Sequence, residues 1–344
     1  MTPNAQPTAA PPARPVTLRE VARKAGVSMA TASKALNGRG DVSPTTRERV
    51  QRVARELGFV ANALARSLLA GHTGTVGLIT HDLEGRFSIP LLVGAEDAFG
   101  LNNVCVLLCD ARGDAIRERY HLDVLMERRV DGLIIVGARP DARPSLGADL
   151  PVPVVYAYAP STDAQDCSIV ADAAASGRLA VEHLLSLGRR HIALIAGDPT
   201  YGAACQRVDG AMAQLASAGL EPAGGEALFG SWSEGWGHGA MRTVLQRQPE
   251  VDGVVCGNDQ IARGVIDTLR DAGRAVPADV SVVGHDNWEI LVQGTRPPLT
   301  SIDMNLQTIG RLAAERLHEA MDGLANPGVE LVQPRLVVRG SSVV

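Results

Sequence analysis

No apolar run in this chain approaches the ~20 residues that a membrane-spanning helix requires. A membrane protein of helical type is therefore excluded. Residues 1–15 are rich in Pro, Ala and Thr and lack the apolar stretch of a signal peptide, so they read as a disordered tail on a cytoplasmic protein. The five cysteines, Cys105, Cys109, Cys167, Cys205 and Cys256, form no C-x-x-C pair. Buried thiols in a reducing compartment are expected, rather than disulfides or zinc. Eight histidines show no metal-ligand spacing, and His183 and His191 read as structural. No G-x-S-x-G elbow, H-E-x-x-H pair, Walker loop or G-x-G-x-x-G after a first strand is present. Neither enzymatic activity, nor a cofactor, nor a metal is implied.

What the chain does contain is a sharp asymmetry of charge. Residues 1–70 carry eleven Lys or Arg against four Asp or Glu, a balance of +7 that leaves −12 for the rest of a chain whose net charge is −5. Positive charge gathered on one end suits attraction to phosphate while the whole stays acidic. Within that end, Thr17 to Gly38 reads TLREVARKAGVSMATASKALNG, with Leu18, Val21, Ala22 and Ala25 at helical spacing. Thr17 with Glu20 three residues on is a capping box that opens the first helix. Gly26 ends it, and Ser28 caps a second. Ser43-Pro44 then opens a third helix, with Val50, Val53, Ala54 and Leu57 on one face before Gly58. On the short second helix, Thr31, Ser33, Lys34 and Asn37 offer groove- and phosphate-facing donors.

Residues 16 to 74 resemble the DNA-binding headpiece and hinge of the LacI/GalR family of bacterial transcription regulators, the match running from Val16 through Asn37. The resemblance implies phosphate contacts from Thr17, Ser28, Ser33, Asn37, Ser43 and Thr46, and base-facing positions at Met29, Ala30 and Lys34. Asn62 stands in the hinge with the DNA-contacting residues, and Leu68 would be the leucine that wedges into a central minor-groove step. Three departures matter. Met29-Ala30 is apolar where relatives often present hydrogen-bonding side chains, which shifts readout toward thymine methyl groups and Lys34. Ala32 is smaller than the usual valine, and Ala61 replaces the proline that usually precedes the hinge helix.

From Thr75 onward apolar strands alternate with amphipathic helices, the pattern of parallel sheets covered on both faces. Strands are expected at 75–80, 104–109, 132–136, 154–157, 191–196, 253–256 and 280–284. Helices are expected at 90–100, 115–129, 174–187, 204–218, 237–247, 259–272 and 306–321. Arg129 to Gly137 and Glu250 to Asn258 echo one another, each leaving a helix and entering a strand. Two similar lobes follow, with ligand expected beyond the carboxyl ends of the strands. The phrases Val181 to Ile192, Gly257-Asn258-Asp259-Gln260, Ser281 to Asp286 and Leu336 to Ser341 resemble the periplasmic-binding-protein-like effector domain of the same family. That resemblance places crossovers between lobes near residues 158–165, 287–300 and 321–330.

The expected fold class is α/β: an N-terminal all-α helix-turn-helix headpiece followed by a periplasmic-binding-protein-like effector domain of two parallel-sheet α/β lobes. The expected organisation is a tail at 1–15, a helix-turn-helix DNA-binding domain at 16–60, a hinge helix and linker at 61–74, and a two-lobed effector-binding and dimerisation domain at 75–344.

Only three Trp, four Tyr and four Phe are available, so their placement is informative. Phe87, Tyr156, Tyr158, Tyr201, Trp232, Trp236 and Trp288 lie at or just past expected strand ends, where rings serve as cleft walls for a sugar or base. Arg207, Asn258 and Asp286 stand in the corresponding loops, and by resemblance they bind effector, with Phe87 and Trp232 lining the pocket; Tyr158 joins this effector-binding set from its place just past a strand. Asp259 reads as a helix cap, while Arg86 and Asp303 are weaker candidates. The expected partners are operator DNA, a second copy of the chain in a homodimer, and a small-molecule effector, a carbohydrate ahead of a purine or other metabolite. An exported sugar-binding protein would need an export signal and no helix-turn-helix. An architectural DNA-binding protein without ligand stays open. For the hinge, Leu68→Ala is expected to weaken binding to a specific site more than to non-specific DNA; equal loss on both, measured by fluorescence anisotropy, would remove the wedge role.

Overall fold

The fold is that of a computed structural model of the chain, which describes residues 14, 16–36, 40, 42–59, 72–83, 86–100, 104–147 and 149–343. The chain divides into two compact units, Met1–Thr73 and Gly74–Val344.

The first unit holds α1 (Leu18–Ala25), α2 (Met29–Leu36) and α3 (Pro44–Leu57). The Thr17 backbone N–H donates to Glu20 Oε2 at 2.7 Å, and Thr17 Oγ1 accepts from the Glu20 backbone N–H at 3.4 Å. Both halves of the capping box are thus made. Gly26, at φ 66, takes the left-handed conformation that closes α1. Ser28 and Ser43 accept from the N–H groups of Thr31 and Thr46, at 3.1 and 3.3 Å. A small core of Val21, Ala22, Ala25, Ala32, Ala35, Val50, Val53 and Ala54 is shared by the three helices.

The second unit begins with β1 (Thr75–Thr80), α4 (Ser88–Gly100), β2 (Cys105–Asp110), α5 (Ala115–Glu127), β3 (Gly132–Val136), β4 (Val154–Ala157) and β5 (Cys167–Ala171). It continues with α6 (Ala173–Ser186), β6 (Ile192–Ile195), α7 (Gly202–Ser217), α8 (Glu234–Arg247), β7 (Gly253–Cys256), α9 (Asp259–Asp271) and β8 (Ser281–His285). Last come α10 (Glu289–Gly294), β9 (Thr300–Asp303), α11 (Leu306–Met321), β10 (Gly328–Val332) and β11 (Arg335–Val337). Two sheets result, ordered β10-β5-β4-β3-β1-β2 and β11-β9-β8-β7-β6. Every pairing is parallel except β11 with β9. Each sheet has its own apolar core, so each is a lobe.

Four strands and one helix were not expected from the pattern: β5, β9, β10, β11 and α10. The crossovers also differ from the expected positions. The chain changes lobe between β5 and α6, between β9 and α11, and between β10 and β11, at residues near 172, 304 and 333. Cys256 alone among the thiols is buried outright, and Cys105 is exposed on edge strand β2, against the expectation of buried thiols. No helix among the described residues is long and apolar enough to cross a membrane.

Three helix pairs pack backbone to backbone through reciprocal glycines. A Cβ on Gly94 of α4 would stand 1.9 Å from Gln307 O of α11, and one on Gly310 of α11 would stand 1.9 Å from Leu91 O of α4. Gly177 and Gly210 do the same for α6 and α7, and Gly237 and Gly264 for α8 and α9. Backbone cannot yield as a flexible side chain does. Gly310→Ala is therefore expected to cost at least about 1–3 kcal/mol. Gly239→Ala, in the exposed middle of α8 with open space around it, should instead stabilise by about 0.5–1 kcal/mol. Urea unfolding of the two variants checks both signs.

Candidate functional site

On α2, Ala32 and Ala35 are buried in the headpiece core, which turns Met29, Ala30 and Lys34 outward. Met29 is 49 % exposed, a large apolar side chain presented on the surface of the unit. Thr31 and Ser33 are half-buried at the margin of this face. The hydroxyls of Ser28 and Thr31 bond each other at 2.9 Å, as do those of Ser43 and Thr46, and Thr17 is engaged in its capping box. In each hydroxyl pair one proton is spent on the partner and one remains to donate to a phosphate oxygen, whereas Thr17 gives its hydroxyl proton to Glu20. Asn37, Asn62 and Leu68 lie outside the described residues, as does most of the expected hinge.

The six cleft candidates gather around one cavity of about 680 Å³ between the lobes of the second unit. Phe87 and Tyr158 come from the loops after β1 and β4 of the first lobe. Arg207 sits in the second turn of α7, Trp232 in the segment before α8, Asn258 directly after β7 and Asp286 directly after β8. All reach the cavity from the carboxyl ends of strands, where loops leave a parallel sheet.

Close approach sets two of these side chains. Gly177 lies so near α7 that a Cβ there would fall 1.8 Å from Arg207 O, which fixes the height of Arg207 over the cleft. Gly197 leaves room for the Trp232 ring, whose Cζ3 would stand 2.1 Å from a Cβ at that position. The Trp232 ring meets Tyr201 edge to face at 5.5 Å, and the Arg207 guanidinium lies 5.4 Å from its centre. Across the cleft, Phe87 stacks on Tyr158 with ring centres 5.5 Å apart.

Arg86, a weak candidate in the sequence, proves central. Its Nη2 pairs with Asp286 Oδ2 across the cleft, and its guanidinium lies 4.8 Å from the Phe87 ring and 4.7 Å from that of Trp288. A second crossing lies nearby: Arg139 donates to Thr200 O at 2.8 Å, and Asp141 Oδ1 accepts from the Gly202 N–H at 2.7 Å. Asp303, by contrast, binds Arg335 and Asn305 at the end of β9 and stays out of the cavity.

Three of the seven rings expected on the cleft do not line the cavity: Trp288 stands behind Arg86, and Tyr156 and Trp236 pack into the cores. Tyr156 is 1 % exposed, with its hydroxyl accepting from the Leu146 N–H. Trp236 donates through Nε1 to Ala196 O at 2.8 Å and covers Gly230. Burial of both follows from inward-facing positions on a strand and on a helix.

His285, absent from the sequence reading, lies between charges. Its Nδ1 is 2.9 Å from Asp286 Oδ1 and 2.8 Å from Arg207 Nη1. Burial, and then the Arg207 charge, lower its pKa to about 4, so the ring is neutral. Burial opposes the charge of Asp286, but the bond to His285 and the charges of Arg86 and Arg207 hold its carboxyl below the usual range. Burial also pushes the Tyr158 hydroxyl upward, with the Asp286 charge adding to it.

Asp259 departs from its expected role. Asn258 is the cap of α9, its Oδ1 accepting from the Ile261 N–H at 2.8 Å. Asp259 is 1 % exposed and accepts from the Trp288 N–H at 2.7 Å and the Ser301 hydroxyl at 2.6 Å. Burial and the nearby Asp286 charge push its pKa up to about 8. A strand end followed by Asn-Asp was the available signal, but not which of the two would cap.

Residues 17–62 match the family model for bacterial regulatory proteins of the lacI family, and residues 181–342 that for a periplasmic binding protein-like domain. The chain is 33 % identical over 334 residues to the HTH-type transcriptional regulator CelR of Thermobifida fusca, covering 94 % of this chain and 98 % of that protein. It is 31 % identical over 329 residues to the ribose operon repressor of Escherichia coli K12, covering 95 % and 99 %. Among solved structures, a lac repressor dimer bound to operator and the anti-inducer ONPF aligns with a TM-score of 0.74 at 28 % identity, over 96 % of this chain and 100 % of that one. A CelR–cellobiose complex aligns at 0.63 with 31 % identity, over the same shares.

Asp259 gives the second unit a pH signature. Between about pH 6.5 and 8, His285 is neutral whether folded or not, while Asp259 holds its proton only when folded. The unfolded chain then binds fewer protons, so stability falls as pH rises through this window. Between about 4 and 6.5 the depressed pKa of His285 acts in the opposite direction and offsets the Asp259 contribution, so the decline is read above 6.5. Asp259→Asn is expected to flatten the decline between pH 6.5 and 8 in thermal melts; an unchanged slope would assign it to another group.

Proposed function

The chain belongs to the LacI family of bacterial regulatory proteins, and from that premise we propose that it represses carbohydrate-utilisation genes under control of a small molecule bound between its lobes. It reads a pseudo-palindromic operator as a homodimer, with α2 in the major groove and the hinge around Leu68 in the minor groove. The base-reading positions are Met29, Ala30 and Lys34, with Thr17, Ser28, Thr31, Ser33, Asn37, Ser43, Thr46 and Asn62 on the backbone. The effector is a carbohydrate held by Phe87, Tyr158, Arg207, Trp232, Asn258 and Asp286.

One observation carries this reading: the cleft that holds all six candidate side chains is also where the two lobes grip each other, through Arg86 and Asp286. A ligand entering it must contact both rims and so bias their arrangement, which a static architectural protein would not need. Aromatic walls with hydroxyl-binding polar groups suit a sugar, and the cellobiose complex of a structural neighbour supports the same class. The homodimer is supported by apolar side chains left exposed on the first lobe: Ile89 and Val93 of α4, Leu108 of β2, and Ile116 and Tyr120 of α5, the last two 82 % and 63 % exposed.

The test is a thermal-shift screen of sugars and nucleobases on the full chain, followed by titration of any hit into a complex with DNA selected in vitro. A sugar that raises the melting temperature and changes DNA affinity is expected; a hit that leaves DNA affinity untouched, or no hit at all, favours the architectural alternative. Trp232→Ala should weaken the hit roughly ten-fold or more, because a desolvated aromatic wall is lost. An unaltered response would place the effector elsewhere.

A further inference from the structure

Within the proposed effector site, the cleft's hydrogen-bonding capacity is unbalanced. Arg86 Nε, Arg207 Nε and Trp232 Nε1 are cut off from solvent and have no hydrogen-bond partner among the described residues. All three belong to side chains that line the cavity. The carboxylates lining the cavity and the Asn258 amide oxygen are already engaged. Asn258 Oδ1 takes the Ile261 N–H, and Asp286 pairs with Arg86 and His285. Asp172 caps α6 through the Ala175 N–H and receives Gln333, and Asp82 is engaged as well.

Arg207 is the extreme case. Among the described residues its guanidinium hydrogen-bonds only to the His285 ring, and no carboxylate oxygen lies within 4.0 Å of it. The neighbouring carboxylate, Asp286, meets the same Nδ1 of that ring but pairs with Arg86. Burial works against the Arg207 cation, and the Asp286 charge, beyond contact distance, offsets only part of it. A cation withdrawn from water is costly until a counter-charge meets it.

A neutral sugar does not correct this imbalance, because each hydroxyl that accepts also carries a proton needing an acceptor of its own. A carboxylate or phosphate accepts without donating, and forms shorter, stronger bonds to a guanidinium. We infer that the effector is an anionic sugar derivative, whose acidic group is seated on Arg207 Nε and Trp232 Nε1. This rests on the reading of the cleft as the effector site. Its hydroxyl-bearing body lies between the Phe87–Tyr158 and Tyr201–Trp232 walls, and the Arg86–Asp286 pair remains intact.

The test uses matched pairs on the full chain: galactose with galacturonate, glucose with gluconate, and glucose with glucose 6-phosphate, by calorimetry at low salt. The acidic member of at least one pair is expected to bind roughly ten-fold or more tightly than its neutral partner. That preference should shrink as salt is raised. The carboxylate and phosphate pairs separate the two sources of the acidic group. Arg207→Gln should bring acid and neutral affinities together; Trp232→Phe, which keeps the ring and removes the donor, should narrow the gap part-way and serves if the first variant fails to fold. Neutral members binding as tightly as, or more tightly than, their acids overturns the inference and leaves ligand response standing. No binding by any member, in a chain that still holds selected DNA, overturns both.

Discussion

The buried carboxyl of Asp259 is the point on which the rim of the second lobe is assembled. It opens α9 just beyond β7, draws in the backbone of Trp288 beyond β8, and takes the hydroxyl of Ser301 on β9. Its Oδ1 lies against Gly284, where a Cβ would come within 2.4 Å. Three strand ends are thereby tied to one side chain. Between two of them Asp286 and Asn287 run at φ 96 and 51, backbone that L-residues adopt at a cost of about 1–3 kcal/mol each. The Asn287 N–H is held by Ser301 Oγ, and its side chain by Arg339. Such a turn aims Asp286 across the cleft instead of back along its own sheet, and the pair with Arg86 depends on it.

The same dependence explains what the sequence could and could not reveal. Periodicity located β3 and β6 because each is a run of buried apolar residues. It missed β9, Thr-Ser-Ile-Asp, because Thr300 and Ser301 are buried polar residues whose partners, Ser341, Ser342 and Asp259, lie 41 or more positions away or on another strand end. It missed β10 because Val329 and Leu331 are more than half exposed beside the cleft, while the intervening Glu330 pairs with Arg316. Local signals survived where the chemistry is local: Thr17 with Glu20, Gly26, and Ser43 before Pro44. The six candidate cleft residues were visible from their places after strands. Arg86 and His285 were not distinguished, because their meaning lies in a contact 200 residues apart and in a charge balance.

Three aromatic-and-cation groupings lie in or beside the cleft: Arg86 between Phe87 and Trp288, Arg207 over Trp232, and Arg139 over Tyr201 at 3.7 Å. Arg86 and Arg139 come from the first lobe, while Trp288 and Tyr201 come from the second. The walls that would sandwich a ligand are thus made in part by contacts between lobes. This makes ring stacking and lobe arrangement one property, since moving the lobes apart unstacks the guanidinium from the ring and separates Arg86 from Asp286.

That coupling constrains how a ligand can act. A molecule touching one rim alone would bind the two lobe arrangements equally and shift nothing, however tightly it bound. One that spans Phe87 and Tyr158 on one side and Trp232 and Arg207 on the other gains contacts only where the rims are close. Its influence is limited to that difference in affinity. Because Arg86–Asp286 already joins the rims without a ligand, the joined arrangement has a stabilising contact of its own. A ligand that leaves this pair in place adds to it, whereas one that takes Asp286 for its own hydroxyls must exceed what the pair contributes. Whether a ligand adds to the joined arrangement or competes with it therefore turns on whether its polar groups go to Arg207, whose Nε is unpaired, or to Asp286, already paired with Arg86 and His285.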